Sequence, residues 1–217
     1  MTRIAAVHTV PSVYASFPAL IREAIPGADV ANTVDEFLAS DPAVKGEFTV
    51  DNLNRLYAIL RCAEMTEPDA IVVTCSTLTP PVETLRPLIT TPLVTIDGLM
   101  HKKAVGIGSK ITLLATAQST IEPGRVGLAA AAEKIGKQLD IETIVCDEAY
   151  IAIKKLDQET HDREVLAAAE KIKNRDVIVL AQASMAHLQN EIQKRTGIAT
   201  LSSPALCMED LKKAVGK

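Results

Sequence analysis

"DAIVVTCSTL" at residues 69–78 and "DVIVLAQASM" at residues 176–185 follow one pattern: an aspartate, a short apolar run and a polar turn. Uniformly apolar runs of this length, bounded by turn residues, are typical of strands buried in a parallel sheet. Only the first copy contains a thiol, because Cys75 in that copy corresponds to Gln182 in the second. The two stretches therefore predict a repeated unit in which one copy alone has a cysteine.

A second pair of segments supports the repeat. "RIAAVHT" begins at Arg3 and "KITLLAT" begins 107 residues later at Lys110, which is also the separation of Cys75 from Gln182. "ADVANTVDE" and "LDIETIVCDE" form a weaker pair at a slightly larger offset, as a small insertion would produce. One offset shared by two separate strands favours duplication of a half-sized unit.

Strand-like and helix-like segments alternate along the whole chain. The predicted strands are "RIAAVHTV", "DAIVVTC", "PLVTI", "KITLLAT", "DIETIVC" and "DVIVLAQ", with helices such as "NLNRLYAILRCAEM" and "HDREVLAAAEKIKN" between them. This alternation predicts an α/β fold of two pseudo-symmetric lobes, each a parallel sheet flanked by helices, with a cleft between them. We place the first lobe at residues 1–93 plus 201–217, and the second lobe at residues 94–200.

The composition narrows the class of protein and of partner. The 217 residues are 47% hydrophobic and 3% aromatic with a net charge of -4, which is typical of a soluble globular protein and argues against a nucleic-acid partner. No apolar run reaches the roughly 18 residues of a membrane span, and the first strand begins too early for a signal peptide. We therefore expect a cytoplasmic protein without a membrane partner. The four cysteines lie far apart without a C-x-x-C pair, which predicts free thiols and no metal site.

Polar side chains follow the predicted strands at the edge where ligands bind in parallel sheets. The candidate substrate-binding residues are Thr9 and Ser12 after the first strand, Ser76 and Thr77 after "DAIVV", Thr116, Ser119 and Thr120 after "KITLLA", and Gln182 and Ser184 after "DVIVLA". Hydroxyls and backbone N–H groups suit a carboxylate, which predicts a small carboxylate-bearing substrate. For any single Ser or Thr, capping a helix is the more common role.

Cys75 is the candidate catalytic residue because of its position. It directly follows a buried strand and precedes a turn in which Thr79 could cap a helix, and backbone amides at a helix start stabilise a thiolate. The alternative role for a free cysteine is that of a small buried hydrophobic residue. We expect that role for Cys62 and Cys146, and a structural role for Cys207.

The three segments "TVDNLNRLYAILRCAEMTEPDAIVVTCSTLTPPVETLR", "KITLLATAQSTIEPGRV" and "DVIVLAQASM" together resemble the aspartate/glutamate/hydantoin racemase superfamily. The resemblance implies two pseudo-symmetric α/β lobes, no cofactor, and a carboxylate substrate held between two cysteines, one from each lobe. One thiolate removes a proton and the opposite thiol delivers one. The matching positions are Cys75 for the first cysteine, Ser76 and Thr77 for the polar pair after it, Thr116, Ser119 and Thr120 for the hydroxyl loop of the second lobe, and Thr9 and Ser12 for the first loop. A homodimer or higher homo-oligomer is the usual state of such proteins.

The sequence departs from this family where the second cysteine is expected. Gln182 stands there, and a carboxamide is neither a usable base nor a usable acid near neutral pH. Racemisation by two opposed thiols is therefore not available to Cys75 and Gln182 alone. Another group could replace the missing thiol, and the candidates are His8, His161 and His187, although a surface or supporting position is more common for each.

Cys75 could also work without a second thiol. It could protonate a carbanion left by decarboxylation, which resembles the arylmalonate decarboxylases, or add to a double bond, as in the related maleate isomerases. A thiol hydrolase is less favoured because it needs a partnering histidine. A protein that binds an organic acid without transforming it is a further alternative. The sequence thus favours a cofactor-independent isomerase acting through Cys75 and leaves the other reactions open.

Overall fold

The computed structural model describes residues 1–216, apart from the side chain of Ser12. The chain divides into two compact units: Met1–Gly98 together with the chain from Ala205 onward, and Leu99–Pro204. Each unit contains a four-stranded sheet in which every pairing is parallel. The α/β fold expected from the sequence is confirmed.

The two sheets have the same strand order. The strands are β1 (Arg3–His8), β2 (Asp29–Val34), β3 (Ala70–Val73), β4 (Leu93–Thr95), β5 (Lys110–Ala115), β6 (Asp140–Val145), β7 (Val177–Leu180) and β8 (Ala199–Leu201). The helices are α1 (Pro11–Ala24), α2 (Phe37–Lys45), α3 (Val50–Glu64), α4 (Thr79–Leu85), α5 (Gly98–Ile107), α6 (Ile121–Glu133), α7 (Asp147–Lys154), α8 (Gln158–Ala169), α9 (Gln189–Thr196) and α10 (Ser203–Ala214). The order is β2-β1-β3-β4 in the first unit and β6-β5-β7-β8 in the second.

The sheet of the first unit is covered by helices on both faces. Alternate residues of β1 point to opposite faces, so that Ile4 and Ala6 join one core and Ala5 and Val7 join the other. The helical partners are Phe17, Ile21, Met208 and Leu211 in the first core, and Leu38, Leu56, Leu60, Val82 and Leu85 in the second. Burial of each large apolar side chain contributes about 1.5–3 kcal/mol. Two covered faces explain why the central strands are apolar at every position from Ile4 to Val7 in β1 and from Ala70 to Val73 in β3.

The second unit repeats this arrangement. Leu114 and Leu180 face a core that includes Ala149 of α7, Val165 of α8 and Ile192 of α9. On β5, the neighbouring residue Leu113 lies beneath α6, where a Cβ added at Gly124 would come within 2.8 Å of a Leu113 methyl. The glycine therefore allows α6 to pack closely on its sheet.

The aspartate that opens each copy of the repeat has the same structural role. Asp69 accepts a hydrogen bond from the backbone N–H of Arg3 at 2.8 Å, and Asp176 accepts one from that of Lys110 at 2.9 Å. Each carboxylate thus joins the start of one strand to the start of its neighbour. The backbone N–H of Ser109 also binds Asp176, at 2.8 Å. This shared contact supports the duplication inferred from the sequence.

Candidate active site

The first unit places Thr9 and Cys75 at one edge of its sheet. Val7 of β1 lies opposite Val73 of β3 in the parallel register, and Thr9 and Cys75 each lie two residues beyond that pair. Both therefore lie at the carboxyl end of the sheet, where open parallel sheets bind ligands. The sequence predicted both residues for this edge.

Cys75 is half-buried between β3 and a 3₁₀ turn, Ser76–Leu78. Its Sγ lies 2.9 Å from the Oγ1 of Thr77, and its backbone is extended, with φ -117° and ψ 120°. The expected helix start is different, because α4 begins only after the turn and the hydroxyl of Thr79 donates to Asp97 at 2.5 Å instead of capping. The local partner of the sulfur is thus a hydroxyl from its own turn.

Thr9 is buried, and its Oγ1 has no hydrogen-bond partner among the described residues. A buried hydroxyl without a partner costs about 1–3 kcal/mol, so proteins rarely keep one without a reason. A ligand oxygen at this strand end would satisfy it. Thr9 therefore has the properties of a substrate-binding donor. Ser12, predicted for the same loop, has its side chain outside the described part of the chain.

A buried polar network lies beside Cys75. The Nδ1 of His8 is 2.8 Å from the Oγ1 of Thr74, and its Nε2 is 3.0 Å from the Oδ1 of Asn32. His8 is fully buried at the end of β1, and Thr74 is the residue before Cys75. The sequence named His8 as a possible substitute for a thiol. It did not find Asn32, which lies on a strand that it had not predicted.

In the second unit, Gln182 is bound to Thr116. Its Oε1 accepts the backbone N–H of Thr116 at 3.0 Å, and its Nε2 donates to the hydroxyl of Thr116 at 3.1 Å. The register places these residues beyond the Leu114–Leu180 pair, where Thr9 and Cys75 lie in the first unit. Since the Thr116 oxygen accepts this bond, its own O–H is left to donate elsewhere.

The other predicted residues of the second unit lie farther along their loops. Ser119 and Ser184 are exposed, and each lies in a 3₁₀ turn. Thr120 donates its hydroxyl to the carbonyl of Ala117 at 2.8 Å, a contact within its own turn. The structure therefore brings Thr116 and Gln182 into direct contact, and gives Thr120 a local role. In the first unit, Ser76 is half-buried directly after Cys75.

His161 and His187 form a separate cluster around one carboxylate. The Nδ1 of His161 lies 2.7 Å from one oxygen of Asp162, and the Nε2 of His187 lies 2.8 Å from the other. Partial burial opposes ionisation of Asp162, but hydrogen bonds from His161, His187 and Gln158 lower the pKa of this carboxyl. His161 and His187, two of the three histidines that were candidates to replace the thiol, are thus bound to Asp162.

The remaining cysteines divide into one exposed and two buried thiols. Cys62 is exposed on α3, which corrects the expectation that it is buried. Cys146 is buried as expected, and burial with nearby acidic groups raises its pKa to about 11. Cys207 is buried against β1 and β3, which fits a structural role, and burial raises its pKa strongly. Neither buried thiol is a nucleophile at neutral pH.

The described residues contain neither a metal-binding cluster nor a membrane-spanning helix. No cluster of three or more His, Cys, Asp or Glu side chains among them is arranged to hold a metal ion. In the same part of the chain, no helix is both long and apolar enough to cross a membrane.

Comparison with known proteins places the fold. Residues 9–211 match the family described as Asp/Glu/Hydantoin racemase. Glutamate racemase isoform RacE1 from Bacillus anthracis has a TM-score of 0.69 at 15% identity, over 98% of this chain and 80% of that one. Allantoin racemase from Pseudomonas fluorescens gives 0.68 at 18%, over 99% and 91%. An unliganded arylmalonate decarboxylase gives 0.63 at 14%, over 100% and 93%. No curated protein matches the chain.

Proposed function

Because the chain belongs to the Asp/Glu/hydantoin racemase family, we propose that it is a cofactor-independent isomerase that acts on a small carboxylate-bearing substrate through the thiol of Cys75. The observation that carries this proposal is the position of Cys75, half-buried at the carboxyl end of β3, with the Thr77 hydroxyl 2.9 Å from its sulfur. A hydroxyl at that distance can donate to a thiolate and stabilise it.

The substrate carboxylate would be bound by hydroxyl groups. In the first unit the unpartnered Oγ1 of Thr9 is a candidate donor. In the second unit Thr116 keeps its O–H for a ligand, because its oxygen already accepts from Gln182. We propose the same role for Ser12 and Ser76 in the first unit and for Ser119 and Ser184 in the second. The hydroxyls of Thr77 and Thr120 contact atoms of their own turns, so we propose only a supporting role for these two residues. No arginine is needed, since several neutral donors can hold one carboxylate.

A single thiol is sufficient for one kind of isomerisation. The Cys75 thiolate adds to one carbon of a double bond conjugated to the carboxylate, forming a C–S bond and moving the π electrons onto the carboxylate as an enediolate. Rotation about the resulting single bond and expulsion of the same thiolate give the other geometric isomer. The proton count is unchanged, and no second acid or base is required.

Decarboxylation is a second candidate, and the contacts of Gln182 favour it. Its carboxamide is bound at both ends by Thr116 and does not act as an acid or a base, so a proton can come from Cys75 alone. In this reaction the substrate loses CO₂, the bond electrons remain as an enediolate, and the Cys75 thiol protonates one face. Solvent then restores the thiol. A malonate with two different α-substituents would give a single enantiomer, whereas phenylmalonate would give achiral phenylacetate.

The test is a panel of acids incubated with the protein in D₂O and followed by NMR and chiral chromatography. Suitable acids are maleate, phenylmalonate, and the enantiomers of aspartate and glutamate. The enantiomers of allantoin, which has no carboxylate, are tested beside them. We expect one acid to be converted, Cys75→Ala to lower its turnover by about a thousandfold or more, and the exposed-thiol control Cys62→Ala to be unchanged. Turnover that survives Cys75→Ala would contradict the proposal.

Binding without reaction is the remaining outcome of this panel. An acid that raises the unfolding temperature of the protein but is recovered unchanged and undeuterated would identify an organic-acid-binding protein. That result would exclude both thiol reactions for the acids used. Conversion of maleate would support the isomerase, and conversion of phenylmalonate with release of CO₂ would support the decarboxylase.

A further inference from the structure

The buried network beside Cys75 has a defined arrangement of protons. The Nδ2 of Asn32 donates to the carbonyl of Val30 at 3.2 Å, which leaves its Oδ1 as the group facing His8. Because a carboxamide oxygen can only accept, the Nε2 of His8 must carry the hydrogen. In a neutral ring the Nδ1 is then an acceptor. The hydroxyl of Thr74 lies 2.8 Å from this nitrogen and 3.3 Å from the carbonyl oxygen of Val7, and the shorter contact favours donation to His8.

The surroundings of His8 favour this neutral form. Burial is the main cause that lowers the pKa of His8 below its ordinary 6.5, and the hydrogen bond to Asn32 opposes this effect. The rings of Tyr14 and Phe17 from α1 lie edge-on, 6.1 and 6.3 Å from the imidazole. The ring is therefore fixed by two hydrogen bonds and by aromatic packing, and it holds the side chain of Thr74 in one orientation.

The second unit provides an internal comparison, because it lacks both the thiol and the network. At the repeat offset of 107 residues, Ala115 replaces His8 and Ala181 replaces Thr74. Both alanines are buried. In the sheet, Thr143 lies beside Leu113 as Asn32 lies beside Ala6, and its side chain is exposed. The fold can therefore accept alanines at the positions of His8 and Thr74.

A buried polar network is less favourable than apolar packing unless all its members are paired, so a fold that does not need one tends to lose it. Here the network is present in the unit that carries Cys75 and absent from the unit that carries Gln182. We propose that His8 is a positioning residue for Cys75: through its hydrogen bond to Thr74 it fixes the Thr74–Cys75 peptide and hence the orientation of the thiol toward Thr77. This inference rests on the proposed function only for its effect on turnover.

The decisive variant gives the first unit the alanines of the second. His8→Ala combined with Thr74→Ala, in a Cys62→Ser background, leaves Cys75 as the accessible thiol, since Cys146 and Cys207 are buried. We expect alkylation of Cys75 by iodoacetamide at neutral pH to slow by about five- to tenfold, the effect of one oriented hydrogen bond. The kcat for an acid that is turned over should fall by a similar factor, with KM nearly unchanged.

His8→Asn is the conservative control. The Oδ1 of asparagine lies near the position of the histidine Nδ1 and can accept the Thr74 hydroxyl, whereas His8→Gln places its carboxamide near the Nε2 position instead. We expect His8→Asn to keep the alkylation rate within about twofold of the parent, and His8→Gln to behave like His8→Ala. If His8 only stabilised the fold, His8→Asn and His8→Gln would be alkylated at the same rate at a temperature where both are folded.

Equal alkylation rates in the parent, the double variant and His8→Gln would overturn the proposal. Should the double variant not fold, Thr74→Val removes only the hydroxyl from a side chain of the same shape and decides the question by the same alkylation assay. This assay needs no substrate. Turnover that persists in Cys75→Ala would refute the proposed function, while the alkylation rates would still decide the role of His8.

Discussion

The carboxamide of Gln182 makes two hydrogen bonds to one neighbour, the N–H and the hydroxyl of Thr116, and thereby joins the ends of β7 and β5. The register of the strands places Thr116 and Gln182 together. The sequence predicted each of them for a strand end, but not their proximity. The contacts themselves could not be predicted, because they depend on the direction in which a flexible side chain folds. Gln182 therefore has a structural role at the strand ends of the second unit.

Removing this carboxamide should destabilise the protein. In Gln182→Ala the backbone N–H of the buried Thr116 loses its acceptor, so we expect the free energy of unfolding to fall by about 1–3 kcal/mol. Urea denaturation followed by circular dichroism measures the change. The exposed Gln118 of the same unit provides the control, since Gln118→Ala should change stability by less than about 0.5 kcal/mol. An equal effect of the two substitutions would argue against a structural role for Gln182.

Glu64 at the end of α3 controls part of the acid stability. Its Oε1 accepts from the N–H of Thr90 at 2.6 Å, the hydroxyl of Thr90 at 2.7 Å and the N–H of Thr91 at 2.8 Å. Although partial burial opposes ionisation, the bonds from Thr91 and Thr90, with the charge of Arg61, lower the pKa of Glu64 from 4.5 to about 2. The carboxylate of Glu64 thus connects the end of α3 to the loop at Thr90 and Thr91, which precedes β4.

Because this pKa is lowered by folding, the stabilisation by Glu64 is fully present above its unfolded pKa and is lost as the pH falls toward about 2. We expect Glu64→Gln to lower the free energy of unfolding by about 1–3 kcal/mol at neutral pH, and by less as the pH falls below 4.5. The measurement is urea denaturation over a pH series, with the exposed Glu23→Gln as control. A difference that does not depend on pH would contradict this account.

Among the helices of the second unit, two glycines differ in the space that surrounds them, so their substitution by alanine should have opposite effects on stability. A Cβ at Gly127 of α6 would lie 2.4 Å from the ring of the buried His101 on α5, whereas a Cβ at Gly106 of α5 would meet nothing within 4 Å. Gly127→Ala should therefore force α5 and α6 apart and destabilise by about 1–3 kcal/mol. Gly106→Ala should stabilise by about 0.5–1 kcal/mol through helix propensity.

Thermal unfolding of both glycine variants tests this difference in sign. A midpoint that falls for Gly127→Ala and rises for Gly106→Ala is the expected result. Two shifts of the same sign would mean that the close approach of α6 to His101 does not limit the packing of these helices.

The elements that the sequence failed to predict have common physical features. β2 lies at an edge of its sheet and has mostly half-exposed or exposed residues, so it lacks the apolar run that identified the central strands. β8 has only three residues, too few for a period to be recognised. The missing β2 also concealed Asn32 and with it the His8 network. Apolar patterning thus finds strands that contain a recognisable apolar run, including the edge strands β4 and β6, and misses those without one.

At the scale of the whole molecule, a duplicated α/β unit carries unequal side chains. The offset of 107 residues predicted the matching strands, and the structure confirms the same strand order in both sheets. The ends of β1 and β3, however, carry His8–Thr9 and Thr74–Cys75. The corresponding ends of β5 and β7 carry Ala115–Thr116 and Ala181–Gln182. A sequence alone marks these differences but does not tell which groups form hydrogen bonds. The two units therefore share one fold, and they differ in the side chains at the ends of their strands.

We propose that this chain acts through one thiol, and the sharpest test of that claim compares alkylation of each cysteine with the loss of turnover. Wild-type protein would be treated with limiting iodoacetamide, with and without the acid that it converts, while turnover and the alkylated fraction of each cysteine are followed by mass spectrometry. We predict that residual turnover falls in proportion to alkylation at Cys75, that the acid slows both, and that modification of the exposed Cys62 has no effect. Full turnover by protein that is completely alkylated at Cys75 would contradict the claim.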